Sequence, residues 1–206
     1  MSSTSKARLA VAGAASAALL LLAGTGTADA RPVAAPDRRP AAVAAAPSYA
    51  TWIADVTAVT TPAAEYLGRR LSVPGGRTAI VLDIDNTSLE TYYSGGITTP
   101  AVKPVLALAT LAKAKGAAVF FVSDRTEVLR WPTEGNLKTV GYPLDRLYLR
   151  PLFNFDPVQT NKTKARAAIE QAGYTIVANI GNNPTDLDGG HAERTFKLPD
   201  YNGTLS

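Results

Sequence analysis

Apolar positions along this chain recur with two different periods, and their alternation predicts the architecture. Residues 78–82, Thr-Ala-Ile-Val-Leu, follow Pro74-Gly75-Gly76 and read as a buried parallel strand. Residues 117–122 (AAVFFV) and 174–180 (YTIVANI) repeat that pattern. Residues 146–150 give a shorter strand with Leu147 and Leu149 on one face, and 195–198 a last short one. Between the strands the spacing becomes helical. Over 49–71, Trp52, Ile53, Val56, Val59, Ala63, Tyr66 and Leu67 share a face. Thr61-Pro62 interrupts this stretch, with Thr61 an N-cap and Pro62 a first helical residue, so two short helices or one kinked helix are expected. Residues 88–99 form a polar loop. Residues 100–115 form an amphipathic helix ended by Gly116. Residues 126–140 are largely helical with a break at Pro132, and 164–173 are helical again. Strands alternating with helices imply an α/β fold, a parallel sheet flanked by helices on both faces.

The first thirty residues stand apart from this alternation. A short basic start, an apolar stretch rich in small residues and Ala28-Asp29-Ala30 read as a signal peptide over 1–30. Residues 31–47 are rich in Ala and Pro without a periodic apolar face and read as a linker. The folded domain is expected over 48–206. Export follows from the leader, with no stable membrane association after its cleavage.

Composition narrows the chemistry. The chain has no cysteine, which excludes disulfides, thiolate metal sites and cysteine nucleophiles. Its single histidine, His191, sits in a polar loop after Gly189-Gly190 and reads as a surface residue. Of 21 basic and 17 acidic residues, 16 and 15 remain once residues 1–47 are set aside, so nothing argues for nucleic acid as a partner.

The strand ends carry the chemistry. The first apolar run stops in Asp83-Ile84-Asp85-Asn86-Thr87. Residues i and i+2 of a strand share a face, so Asp83 and Asp85 project together and Ile84 turns away. Two adjacent carboxylates repel, and burying them costs free energy unless a cation shares the space. The second strand ends in Ser123-Asp124-Arg125, the third in Gly181-Asn182-Asn183-Pro184-Thr185-Asp186, and Lys162 and Lys164 precede the helix feeding the third strand. Ligands of open α/β sheets bind beyond the strands' carboxyl ends. A carboxylate nucleophile, a second carboxylate for proton transfer, a lysine, a hydroxyl and a divalent cation together suit phosphoryl transfer.

Asp83-Ile84-Asp85-Asn86-Thr87 after an apolar strand, Phe120-Phe121-Val122-Ser123-Asp124-Arg125, a later lysine and Ile180-Gly181-Asn182-Asn183-Pro184-Thr185-Asp186 resemble the four motifs of the haloacid dehalogenase (HAD) superfamily. The stretches NLKTVGYP, LYLRP, AGYTIVANIGN and RTFKLPDY are similar to its secreted acid-phosphatase branch, subfamily IIIB, which resembles class B acid phosphatases and plant vegetative storage proteins. The resemblance implies a Rossmann-like HAD fold. It also implies a secreted phosphomonoesterase with Asp83 as nucleophile and Asp85 as general acid and base. Ser123 would donate to phosphate, Lys162 (Lys164 the second choice) would hold phosphate and nucleophile, and Arg125 would reach the phosphate or pair with Asp124. Mg²⁺ would lie on Asp83, the main-chain carbonyl of Asp85, Asn182 and Asp186.

The chain departs from that pattern at Asn182, where the family has an aspartate; an amide oxygen can ligate Mg²⁺ but brings no charge. A non-enzymatic exported storage or binding protein that keeps the fold is therefore the alternative, and dehalogenation on the same scaffold a weaker one. Only 37 residues separate Asp85 from Ser123 and 38 separate Ser123 from Lys162, too few for a large cap domain. The site should be open to small phosphomonoesters. Tyr92, Tyr93, Trp131 and Phe153 are expected to line its mouth, and Thr87 to brace the loop after the first strand.

Overall fold

The computed structural model describes residues 46–205; the expected signal peptide and nearly all of the linker lie outside the described residues. Five parallel strands form one sheet in the order β3-β2-β1-β4-β5: β1 is Arg77–Leu82, β2 Ala118–Thr126, β3 Arg146–Arg150, β4 Tyr174–Gly181 and β5 Thr195–Lys197. The chain works outward from β1 to β3, then returns to pair β4 with the other side of β1. The order of the strands therefore reverses beside β1, the position where open α/β sheets bind ligands.

Alternation along the central strands sorts side chains to the two faces. Ile80, Leu82, Val119 and Phe121 meet Trp52, Val56 and Leu67 of α1 (Tyr49–Arg70) and Val105, Leu108 and Ala112 of α2 (Lys103–Ala114). Ala79, Val81, Phe120 and Val122 face the other way, against Ile169 of α4 (Val158–Gln171). Burial of this apolar surface on both faces is the main force holding the sheet between its helices. β4 carries one extra residue, Val177, against β1, since Ala79 pairs with Ile176 and Ile80 with Ala178.

Several elements differ from the sequence expectation for local reasons. α1 is one helix that runs through Pro62. Its N-cap is Ser48, whose Oγ accepts from Thr51 N at 3.1 Å; Thr61 is internal and donates to the Thr57 carbonyl at 2.9 Å. Pro62 and Ala58, whose carbonyl loses its helical partner, are both exposed, so that carbonyl is open to solvent rather than buried unpaired. α2 starts at Lys103 rather than residue 100, because Ala101 bridges to Leu89 and Pro104 suits the first turn. A 3₁₀ turn, Glu127–Leu129, precedes α3 (Arg130–Thr139). Pro132 does not break α3: it lies in the first turn, where its missing N–H leaves no bond unmade. The loop after β1 is less polar in practice than in sequence, with Ser88, Leu89 and Glu90 all buried. α4 begins six residues before the expected 164, so Lys162 and Lys164 lie on the helix and not ahead of it.

Candidate active site

Asp83 and Asp85 leave the end of β1 toward a cavity of about 190 Å³, while Ile84 is buried in the core on the α1–α2 face. Ser123, Asp124 and Arg125 from β2, Lys162 from α4, and Asn182, Asn183, Thr185 and Asp186 from the β4–α5 turn line the same cavity. α5 is the single turn Pro184–Leu187. The three strand ends and the lysine picked out in the sequence therefore meet in one place.

Two ion-paired groups organise the cavity. Lys162 Nζ donates to Asp83 Oδ1 at 2.7 Å and to Asp186 Oδ1 at 2.5 Å, and all three residues are buried. Lys164 instead pairs with Asp156 at 2.6 Å on the surface. Arg125 grips Asp85 with two bonds, Nε to Oδ2 at 2.9 Å and Nη2 to Oδ1 at 2.6 Å. Thr91 Oγ1 adds a third bond to Asp85 at 2.8 Å, and Thr133 Oγ1 steadies the guanidinium at 3.2 Å. Asp124, the other expected partner of Arg125, pairs with Arg150. Ser123 is buried, and its Oγ accepts from the Arg125 N–H at 3.2 Å, leaving its own hydroxyl hydrogen free to point at a ligand.

The electrostatics follow from burial and partners. Burial pushes the Asp83 carboxyl up to about 7; Lys162 opposes the rise and Asp186 adds to it. Burial also works against the charge on Asp85, but the hydrogen bonds and charge of Arg125 outweigh it and hold Asp85 below the usual carboxylate range. Burial pulls Lys162 down, yet two carboxylates more than offset that, so the ammonium stays charged.

The loops are braced by polar groups. Gly181 lies so close to Asp186 that a Cβ there would stand 2.4 Å from the Asp186 Cβ. Asp186 Oδ2 accepts from the Asn183 N–H at 2.8 Å, and Asn183 Oδ1 accepts from the Thr185 N–H at 3.0 Å, a reciprocal cap on α5. Ser88 Oγ donates to the Asp83 carbonyl at 2.6 Å. Thr87 Oγ1 donates to Asn182 Oδ1 at 3.1 Å, so Thr87 braces one site loop against another. Arg166, fully buried, donates to the carbonyls of Asp186 at 2.6 Å and Gly190 at 2.9 Å and also to that of Asp188.

Sequence reasoning missed Arg166, Thr91, Thr133 and Asn86 as site supports. Asn86, inside the first motif, and Arg166, four residues after Lys162, had local signals. The expected aromatic mouth is not built. None of Tyr92, Tyr93, Trp131 and Phe153 lines the cavity, and Tyr93 stacks on Trp52 with ring centroids 4.8 Å apart. His191 lies near the surface against Glu170.

The donors suit a hard divalent cation. Asp83, Asp85 and Asp186 supply three carboxyl groups beside two cations, Lys162 and Arg125, and Lys162 engages only one oxygen of Asp83. Among the described residues, no three His, Cys, Asp or Glu side chains are grouped as a ready-made metal cage. A cation here would thus depend on carbonyl, amide, water and substrate oxygens beside the carboxylates, which is how Mg²⁺ is commonly held.

Comparison with known proteins gives the family and the fold. Residues 93–204, more than half of the chain, match the family described as HAD superfamily, subfamily IIIB (acid phosphatase), and the chain belongs to that family. The matched residues include Ser123, Arg125, Lys162, Asn182 and Asp186 and begin after Asp83 and Asp85. The stem 31 kDa glycoprotein of Glycine max is 41% identical over 98 residues, covering 44% of this chain and 33% of that protein. Vegetative storage protein 1 of Arabidopsis thaliana is 34% identical over 119 residues, covering 56% and 44%. The chain thus spans less than half the length of these two curated relatives. Among solved structures, the class C acid phosphatase from Bacillus anthracis superposes with a TM-score of 0.59 at 18% identity, covering 74% of this chain and 79% of that one, a likeness of fold.

Proposed function

We propose that this chain is an exported, Mg²⁺-dependent phosphomonoesterase that works through an aspartyl-phosphate on Asp83. The observation that carries the reading is the convergence of Asp83, Asp85, Ser123, Arg125, Lys162 and Asp186 on one cavity, with Lys162 joined to Asp83 and Asp186.

An Asp83 oxygen attacks the phosphorus of a small phosphomonoester, and the bond from phosphorus to the ester oxygen breaks. Asp85 gives its proton to the departing oxygen, which leaves as the alcohol. Asp85, now a carboxylate, takes a proton from water, and the water oxygen attacks the phosphorus. Inorganic phosphate departs, Asp83 is regenerated, and the proton remains on Asp85. Lys162 and the Ser123 hydroxyl hold the phosphate oxygens as charge shifts among them. Arg125 binds Asp85 in the free site, and an incoming phosphate dianion competes for the same guanidinium, which loosens its hold on the Asp85 charge. Asp83, the main-chain carbonyl of Asp85, the Asn182 amide oxygen and Asp186 would hold Mg²⁺, which supplies positive charge between the carboxylate and the phosphate.

The test is phosphate release from p-nitrophenyl phosphate and a panel of small phosphate esters, with Mg²⁺ and with chelator. Turnover that needs Mg²⁺ is expected; turnover unaffected by chelation would remove the cation from the scheme. The neutral Asn182 and the similarity to a storage protein favour one other reading, a non-enzymatic exported protein on the same fold. Absence of turnover on every ester with Mg²⁺ present would select it.

A further inference from the structure

Two asparagines on separate site loops hold the same carbonyl oxygen. Asn86 Nδ2 donates to the Leu205 carbonyl at 2.8 Å, and Asn182 Nδ2 donates to it at 2.7 Å. Asn86, Asn182 and Leu205 are only 6%, 2% and 0% exposed, so none of these bonds is shared with bulk water. A carbonyl oxygen accepts two bonds, and these two donors saturate it.

The other half of each amide is also in use. Asn86 Oδ1 accepts from the Tyr92 N–H at 2.7 Å, and Asn182 Oδ1 accepts from Thr87 Oγ1 at 3.1 Å. Asn86 directly follows Asp85 and sits at φ 54°, a left-handed conformation that asparagine tolerates better than most residues. Asn182 follows the end of β4 and opens the turn that carries Asp186. Leu205 packs its side chain into the core, and its N–H donates to the Asp200 carbonyl at 3.0 Å, so the shared oxygen has a fixed place.

A carboxylate cannot serve at position 182. A carboxylate has no hydrogen to donate and would set its negative oxygen against the Leu205 carbonyl at the same short distance. Burial without a partner would make that contact costly.

Building on the phosphatase reading, we infer that Asn86 and Asn182 are positioning residues: through the Leu205 carbonyl they lock the loop bearing Asp85 to the turn bearing Asp186. On this account position 182 holds an amide because the tether needs its N–H. Residues 201–205 then act as a strut whose seating sets the distance between the two acidic loops.

The experiment compares wild type, Asn182→Asp, Asn182→Ala and a chain ending at Gly203. Hydrogen exchange reads the strut directly, and steady-state kinetics on p-nitrophenyl phosphate with saturating Mg²⁺ reads its effect on the site. Asn182→Asp should speed exchange at Thr204 and Leu205. All three altered chains should lose about 10-fold to 100-fold in kcat with less change in KM, since misplacing reacting groups by about an ångström costs that much. Combining Asn182→Ala with the shortened chain should be no worse than the more severe single change, because both cut one tether. The inference is overturned if the shortened chain keeps wild-type kcat, or if Asn182→Asp leaves exchange unchanged. A wild type without turnover refutes the phosphatase reading instead, and exchange at Thr204 and Leu205 alone then decides whether the tether exists.

Discussion

Arg166 donates from Nη1 to the main-chain carbonyl of Asp186 at 2.6 Å, one helical turn beyond Lys162, which holds the same residue's carboxylate at 2.5 Å. Two cations at i and i+4 on α4 thus grip both ends of one acid. Arg166→Met would remove one donor from each of the carbonyls of Asp186, Asp188 and Gly190, of which Asp186 keeps Asn179 Nδ2 and Asp188 keeps Thr163 Oγ1. The expected cost is about 1–3 kcal/mol in urea unfolding, with reduced turnover. Arg166→Lys should not recover it, because an ammonium cannot match the planar fork that spans the three carbonyls. A variant as stable as wild type would show that water replaces Arg166.

Asp83→Asn removes the proposed nucleophile while keeping its shape. Phosphate release should fall by about 10⁴-fold or more. Asp85→Asn should cost about 10²-fold to 10⁴-fold, the range for a lost proton-transfer group. An Asp83→Asn protein that turns over normally would move the nucleophile elsewhere.

Arg125→Ala tests the pairing with Asp85. Arg125 now stabilises the Asp85 anion, so its removal lets the Asp85 pKa rise. The alkaline limb of the kcat/KM profile, where Asp85 must still carry its proton, should move to higher pH. KM should rise about 10-fold, a loss on the scale of one charge-assisted hydrogen bond. A profile that stays in place would separate Arg125 from the proton-transfer step.

The Asp83 carboxyl is raised from 3.8 to about 7 by burial, so folding favours its protonated form in the absence of a cation. Its contribution to stability is full below its unfolded pKa and is lost as pH rises toward 7. In chelator, the melting temperature of wild type relative to Asp83→Asn should fall between about pH 4 and pH 7. Parallel curves for the two proteins across that range would rule out this linkage.

Gly181→Ala tests how tightly the end of β4 is fitted. The new Cβ would lie 2.4 Å from the Asp186 Cβ, so the turn must move. A loss of about 1–3 kcal/mol is expected from the overpacking, together with weakened Mg²⁺ activation. Unchanged activation by Mg²⁺ would argue that Asp186 does not hold the ion.

How far the fold could be read in advance depended on what each element buries. β1 was legible because its apolar run is short, uninterrupted and followed by Asp83 and Asp85. The first half of α4 was not, because its buried position is Lys162, a charged residue. Apolar periodicity registers no buried face when ion pairs fill it. Pro62 and Pro132 misled for a related reason. A proline marks a lost N–H, but whether that loss ends a helix depends on exposure and on its position within the helix, which local composition does not carry.

The chemical inventory of the site lay open in the sequence, since acids, a serine, an arginine and lysines at the ends of apolar runs are local facts of pattern. Folding decided the pairings. Arg125 meets Asp85 and not Asp124, Lys162 rather than Lys164 reaches Asp83, and Asn86 finds Asn182 through Leu205. These choices turn on distances of a few ångströms and on removal from water, and both quantities exist only once elements far apart in the chain have packed together.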